Sequence, residues 1–476
     1  MVMRTLFLQA PSFDGYDGGA GSRYQAKREI KSFWYPTWLA QPAALVEGSK
    51  LIDAPAHDLS FDDIKHEAAQ RDLVVIHTST PGFKQDVRVA GMLKELNPNL
   101  KVGFIGATVA VDAAWAMANA PTVDFVARNE FDFTILDVAK DIPLADIKGI
   151  SFRNSEGVVI HNEDREVLMD MDSLPFVSPI YKRDLVMENY FIGYLKHPYV
   201  SFYTGRGCKS RCTFCLWPQT VGGHNYRTRS VGHVIEEVKY VLKAFPQMQE
   251  LFFDDDTLTD NRPRVEALAR ELGKLGVTWS CNAKANVPYE TLKIMRDNGL
   301  RLLLVGYESG NQQILHNIKK GLLIETAKQF AKDCRALGIK IHGTFIMGLP
   351  GETKDTIQET IAYAKEVNPH TIQVSLAAPY PGTFLYKQAI ENGWFDGTDH
   401  LVADGGGQIA QLTYPHLASD EIFEAVAEFY KKFYFRPSKV GAIVAEMATS
   451  PTMMKRRLRE GVEFFDFLKN RNTEAA

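Results

Sequence analysis

The sequence predicts an α/β chain made of two parallel-sheet units in series and a helical cap. Three observations predict it. Short apolar runs alternate with amphipathic stretches from Thr5 to Ala127 and again from Tyr199 to Leu376. An extended, proline-punctuated stretch, Asp172-Ser173-Leu174-Pro175-Phe176 and Pro179, separates the two series. From Phe429 onward aromatic and basic residues interleave, which suits a packed amphipathic cap. The expected boundaries are 1–145, 146–195 for hairpin and linker, 196–395, and 396–476.

Composition bounds the function. With 476 residues, 45% of them hydrophobic, the chain can build large cores without staples. A net charge of −4 gives no electrostatic support for nucleic-acid binding. The start, Met1-Val2-Met3-Arg4-Thr5-Leu6-Phe7-Leu8, breaks into a polar loop too soon for an export signal. Five cysteines in such a chain suit a reducing, cytoplasmic setting. No run of 18 apolar residues occurs, so a spanning helix is not expected.

In the first unit, strands are expected at Thr5–Gln9, Lys50–Asp53, Leu73–His77, Lys101–Ile105 and Thr122–Ala127. Helices fall at Trp38–Val46, Phe61–Gln70 and Gln85–Glu95. The order suits a flavodoxin-like doubly wound sheet, whose ligands sit beyond the carboxyl ends of its strands. Those ends carry Thr78, Ser79 and Thr80, then Gly106, then Glu130. The glycine-rich stretch 14–23 is too irregular for a dinucleotide fingerprint. A hairpin is expected over Gly149–Ile160, turning at Asn154-Ser155-Glu156-Gly157. Tyr190-Phe191-Ile192-Gly193-Tyr194 reads as packing, or as an apolar entrance.

The second unit repeats strand and helix six times, which suits a partial, TIM-like (β/α)6 barrel with its chemistry at the carboxyl ends of the strands. Strands are expected at Tyr199–Tyr203, Glu250–Phe253, Val277–Cys281, Leu302–Val305, Lys340–Ile346 and Thr371–Leu376. After the first of these comes Cys208-x3-Cys212-x-Phe214-Cys215. Thiolates are soft ligands that suit iron–sulfur clusters. Three of them hold three iron corners of a cubane and leave the fourth open to a ligand. A zinc knuckle would want a fourth close ligand, whereas the next candidates are His224 and Cys281. Further strand ends present Asp254-Asp255-Asp256, Lys284, Glu308-Ser309 and the glycine-rich 343–353 segment with Gly348. The aspartates could hold a divalent metal or form a solvated acidic turn. Cys281 and Cys334 read as core.

The cysteine motif resembles the signature of radical S-adenosylmethionine enzymes. The resemblance implies a [4Fe–4S] cluster on Cys208, Cys212 and Cys215, with S-adenosylmethionine on its open iron. It also implies an external one-electron donor of flavodoxin or ferredoxin type. Phe214 would border the cofactor, Asp254 or Asp255 would accept its ammonium group, and Lys284 would meet its carboxylate. Glu308 and Ser309 would lie near its ribose or methionine part, and Gly348 beside its adenine.

Placed before such a core, the first unit resembles the cobalamin-binding domain of that superfamily's cobalamin-dependent branch, which assigns Thr78, Ser79, Gly106 and Glu130 to cobalamin. The Asp-x-His-x-x-Gly loop of other cobalamin proteins is missing, since Asp53 and His57 stand four apart, so a histidine ligand to cobalt is not implied.

The segments 17–29, 127–134 and 215–224 resemble the hopanoid-biosynthesis members of the superfamily. They imply a hopanoid lipid substrate and conversion of bacteriohopanetetrol glucosamine to its cyclitol ether by radical ring contraction. Three alternatives stand beside it: a cobalamin-dependent radical methyltransferase, an iron–sulfur electron carrier or binding module, and a zinc-binding interaction protein. The basic, aromatic tail either caps the barrel or makes a peripheral contact with anionic lipid.

Overall fold

The computed structural model describes residues 2–13, 32–395, 397, 409–448 and, of 454–465, all but 456, 460 and 464. The stretch 14–23 and the resemblance-bearing segment 17–29 lie outside the described residues.

The first sheet holds β1 (Thr5–Gln9), β2 (Lys50–Asp53), β3 (Leu73–His77), β4 (Lys101–Ile105) and β5 (Phe125–Ala127), all parallel, in the order β2-β1-β3-β4-β5. This is the flavodoxin-like winding. Every residue of β1 and β3 is buried, as strands covered on both faces require. The expected fifth strand begins only at Phe125, because Pro121 lies in a turn before it. The hairpin forms as β6 (Ile150–Arg153) and β7 (Val159–His161), and it is not free-standing. β6 pairs antiparallel with β5 and extends the sheet to seven strands.

The second sheet is a six-stranded parallel half-barrel, ordered β15-β14-β13-β12-β11-β8. Its strands are β8 (Tyr199–Phe202), β11 (Glu250–Phe253), β12 (Trp279–Ala283), β13 (Leu300–Glu308), β14 (Lys340–Met347) and β15 (Thr371–Leu376). Between β8 and β11 a small antiparallel ribbon, β9 (Gly205–Arg206) with β10 (Arg227–Thr228), brackets the cysteine loop. The outer helices present apolar stripes inward, as Val234, Val238 and Val241 do on the helix Val231–Ala244. Ser230 caps that helix and Asn261 the next, each accepting a backbone N–H.

The helix Ser419–Tyr434 closes the open side beside β15. The hydroxyls of Tyr434 and Tyr430 accept the outward N–H groups of Ile372 and Val374, each at 2.9 Å.

Residues 33–45 are the mortar between the sheets. Tyr35 donates to the Tyr199 carbonyl at 2.9 Å, and Tyr199 returns a bond to the Phe33 carbonyl at 3.0 Å. Tyr35 also stacks on Tyr190, ring centroids 4.2 Å apart, so the Tyr190–Tyr194 stretch contributes packing. The carboxyl edges of the two sheets thereby face one another.

Candidate functional site

The cysteine loop is fastened at its base and along its length. Gly207 has φ +90° and turns the chain where a side chain would strike the Asn225 carbonyl, so the loop can fold back on itself. The Gln219 amide reaches the carbonyls of Cys215, Cys212 and Thr213 at 2.7, 3.1 and 3.2 Å. Its oxygen accepts from Phe384 N at 2.8 Å. Phe214 is half-buried against the core.

Cys208 and Cys212 are buried, Cys215 is half-buried, and none is in a disulfide. Burial raises the thiol pKa of Cys212 and Cys215; the Glu308 carboxylate and the Cys208 thiol add to it at Cys212, and the thiols of Cys212 and Cys208 add to it at Cys215. At Cys215 the Asp256 carboxylate pushes the same way, while Lys320 opposes the shift at both. The thiols are close enough to feel one another. Among the described residues, no three of His, Cys, Asp and Glu converge on a single ion.

Two lysines rim the loop. Lys284 pairs with Asp260 at 2.7 Å, and the other oxygen of Asp260 stands 4.0 Å from Cys208 Sγ. Lys320, which the sequence reading passed over, pairs with Glu308 at 2.6 Å. Glu308 sits at φ +61° beside a register shift in β13, a bulge that re-aims its side chain toward the loop. Ser309 is wholly buried and bonds Thr360 and Asn311 N. At Gly348, an added Cβ would meet Ile422 Cγ2 at 2.8 Å, so the cap helix fills the space above this glycine. Its N–H donates to Glu352, whose carboxyl burial pushes up to about 8.

The three consecutive aspartates face three ways. Asp255 is fully buried and accepts from Thr204 N, Thr204 Oγ1 and Tyr226 OH at 2.5, 2.7 and 2.6 Å. Both of its oxygens accept from the chain's own donors, deep in the core. Asp256 acts on Cys215 and lies near Gly222. Asp254 lines a cavity between the sheets, with Gln9 and His77 from the ends of β1 and β3 and Tyr203 from beyond β8.

At the first sheet's carboxyl edge, Thr78 is buried and bonds the Asp86 carboxyl, which burial pushes up to about 8. Ser79 Oγ accepts from Gly82 N at 3.2 Å. Gly106, at φ +127°, lies against the Thr78 carbonyl. His57 is engaged at both ring nitrogens: Nε2 accepts from Val186 N at 3.0 Å and Nδ1 donates to the Asp53 carbonyl at 2.8 Å.

Glu130 joins a buried quartet. It takes Arg227 in a two-pronged pair at 2.7 and 2.8 Å, while Asp132 takes Arg206 at 2.5 and 3.1 Å. Arg206 and Arg227 are cross-strand partners in the ribbon, and all four side chains are nearly fully buried. The base of the cysteine loop is thus bolted to the first sheet. Arg206 also lies 5.0 Å over Trp38, which stacks at 4.8 Å on Trp217, two residues past Cys215. Only a pairing of positions some 75–100 residues apart could have signalled this network.

Residues 202–364 match the model of the Radical SAM superfamily. An uncharacterized methyltransferase of Pyrococcus horikoshii is 29% identical over 423 residues, covering 86% of this chain and 90% of its own. An anaerobic magnesium-protoporphyrin IX monomethyl ester cyclase of Rubrivivax gelatinosus is 26% identical over 406 residues, covering 81% and 70%. Among solved structures, the radical S-adenosylmethionine methyltransferase TsrM of Kitasatospora setae, with cobalamin and a [4Fe–4S] cluster bound, has the same fold. Its TM-score is 0.67 at 14% identity, over 91% of this chain and 89% of that one. Residues 202–364 are a Radical SAM domain, and the chain is an enzyme of that superfamily, one that uses a [4Fe–4S] cluster and S-adenosylmethionine.

Proposed function

We propose that the enzyme acts on the sugar headgroup of a side-chain-extended hopanoid, converting bacteriohopanetetrol glucosamine to its cyclitol ether by ring contraction. The observation that carries this reading is the resemblance of segments 127–134 and 215–224 to hopanoid-biosynthesis enzymes. It is supported by where these segments meet. Glu130 and Asp132 hold the ribbon under the loop, and Trp217 walls the cavity at the seam. When bound, the cluster and S-adenosylmethionine supply one-electron cleavage of a sulfonium, which yields a carbon radical able to take hydrogen from an unactivated sugar C–H. The chain's own residues hold and shield that event. Cys208, Cys212 and Cys215 ligate iron. In this reading Asp256, rather than the Asp254 or Asp255 expected from the sequence, accepts the cofactor's ammonium, and Lys284 and Lys320 meet its carboxylate. The resemblance assigns Phe214, Ser309 and Gly348 to the same cofactor, although Ser309 is wholly buried and Ile422 fills the space above Gly348. Cobalamin is assigned to the first sheet's carboxyl edge, near Thr78, Ser79 and Gly106, and the engaged His57 leaves cobalt without that ligand. Electrons come from an external flavodoxin- or ferredoxin-type donor.

Mass spectrometry of hopanoids from cells with and without the protein tests this. Cyclitol ether is expected only with it, and glucosamine lipid should accumulate without it. Unchanged lipids would overturn the reading. The methyltransferase names of the relatives favour a second reading, which predicts a product heavier by about 14 mass units, the CH2 added by a methyl group.

No described helix is long and apolar enough to cross a membrane. We place the enzyme in the cytoplasm, touching the membrane through its tail. Met454, Leu458, Val462 and Phe465 are exposed at helical spacing, next to exposed Phe435, Val440 and Val444. Anionic liposomes are expected to pellet the full chain at low salt and not at high salt. A chain cut at Pro437 should stay in solution with its melting temperature within a few degrees, and equal pelleting of both would discard the contact.

A further inference from the structure

The outer side of the cysteine loop carries a positive surface without counterions. Lys209 and Arg211, the chain neighbours of Cys208 and Cys212, are exposed. Thr213 ties the loop to two other stretches. Its N–H donates to the Ile318 carbonyl at 3.0 Å, and its carbonyl accepts from Leu385 N at 2.9 Å. Those bonds bring in exposed Lys319 and exposed Phe384, with the Lys319 ammonium 4.8 Å over the Phe384 ring. Among the described residues, none of these three cations has a carboxylate partner. Exposed lysines elsewhere on the barrel do, as Lys239 with Glu236, Lys274 with Glu271 and Lys293 with Asp297 show. The chain as a whole carries a charge of −4, so this positive face is local.

An exposed aromatic with charged residues around it has the make-up of a small interface, apolar at its centre and polar at its rim. We propose that this face docks an acidic protein that carries a one-electron centre at its surface. Carboxylates of that partner meet Lys209, Arg211 and Lys319, and an apolar contact seats on Phe384. One electron leaves the partner's reduced centre and enters the cluster, with no bond made or broken. Tunnelling weakens steeply with distance, so transfer is fastest from a donor seated over the loop that supplies the cluster's ligands. Redox encounters are small and transient, and charge sets their on-rate more than their affinity. The proposal rests on the reading of the chain as a radical S-adenosylmethionine enzyme fed by an external donor, and adds the face at which that donor docks.

Two measurements on the reconstituted holoenzyme, with a flavodoxin as the acidic probe, test the face. Stopped-flow absorbance follows reduction of the cluster by flavodoxin hydroquinone, and calorimetry follows binding of the oxidised flavodoxin. In the wild type both should weaken at high salt. Arg211→Glu combined with Lys319→Glu should slow the low-salt reduction about tenfold or more and weaken binding in step. Reduction by dithionite, which needs no docking, should stay near the wild-type rate and shows that the variant's cluster is intact. Lys243→Glu combined with Lys274→Glu makes the same change of charge in the last turns of the helices Val231–Ala244 and Arg262–Lys274, away from the loop, and should behave as the wild type. A loop variant that flavodoxin binds and reduces as well as the wild type, a loop variant no slower than the remote one, or a wild type indifferent to salt would overturn the face. If dithionite reduces no cluster in the wild type, the radical reading falls, and the calorimetry still decides the face.

Discussion

Replacing Cys208, Cys212 or Cys215 with alanine is expected to remove the cluster's visible absorbance and reduce S-adenosylmethionine cleavage to background. Each thiol sits on a loop held at fixed points by Gln219 and by the ribbon, so no neighbouring side chain can swing in as a substitute. The loss should be the same for each of the three, because a cubane lacking one protein ligand has two exposed corners instead of one. Cys334→Ala is the contrast. That sulfur lies fully buried on the inner face of the helix Ile324–Ala336, where its removal costs about 1 kcal/mol of stability through packing alone. Anaerobic reconstitution with iron and sulfide, followed by assay of 5′-deoxyadenosine, checks both outcomes. A Cys334→Ala protein as dead as the others would mean that a fourth protein ligand caps the cluster.

Arg206→Met is expected to destabilise the fold by about 3–5 kcal/mol in denaturant unfolding, because it strands the buried Asp132 carboxylate without its partner. Burial alone would favour a neutral arginine, yet the Asp132 and Glu130 carboxylates hold its pKa above the ordinary value. The double variant Arg206→Met with Asp132→Leu should recover most of that loss, since two apolar groups leave no orphaned charge. The recovered stability need not bring back function. Without the bolt at residue 206 the cysteine loop loses its fixed distance from the first sheet, so more 5′-deoxyadenosine should form per product than in the wild type. If the double variant is no more stable than the single one, the pair is not what joins the ribbon to the sheet.

How much of this was legible in the chain varies with the kind of interaction. Lys50–Asp53, Leu73–His77, Lys101–Ile105, Glu250–Phe253 and Thr371–Leu376 read to the residue. Each is a short apolar run between turn signals, the mark of a strand buried in a parallel sheet. The cysteine loop was legible because ligand spacing is local. β12 was read two residues early, since Val277 is apolar but lies in the approach to the strand rather than in it. The hairpin was seen, but its attachment to β5 was not, because pairing partners leave no periodic trace. The division of labour among Asp254, Asp255 and Asp256 was equally hidden. Three like residues at a strand end are told apart only by what surrounds them: an aromatic cavity, Thr204 with Tyr226, and Cys215. Lys320 and the Glu130–Asp132–Arg206–Arg227 quartet belong to the same class of contacts made by distant stretches.

The tyrosine hydroxyls on β15 bear on how the molecule is made. An unsealed parallel edge is a template on which a strand from another molecule can dock, and Tyr430 and Tyr434 occupy two of the donors that such a strand would use. The helix that carries them leaves the ribosome after all six barrel strands. Until it arrives, the nascent half-barrel is sticky, and this later-made helix decides whether it stays solitary or aggregates.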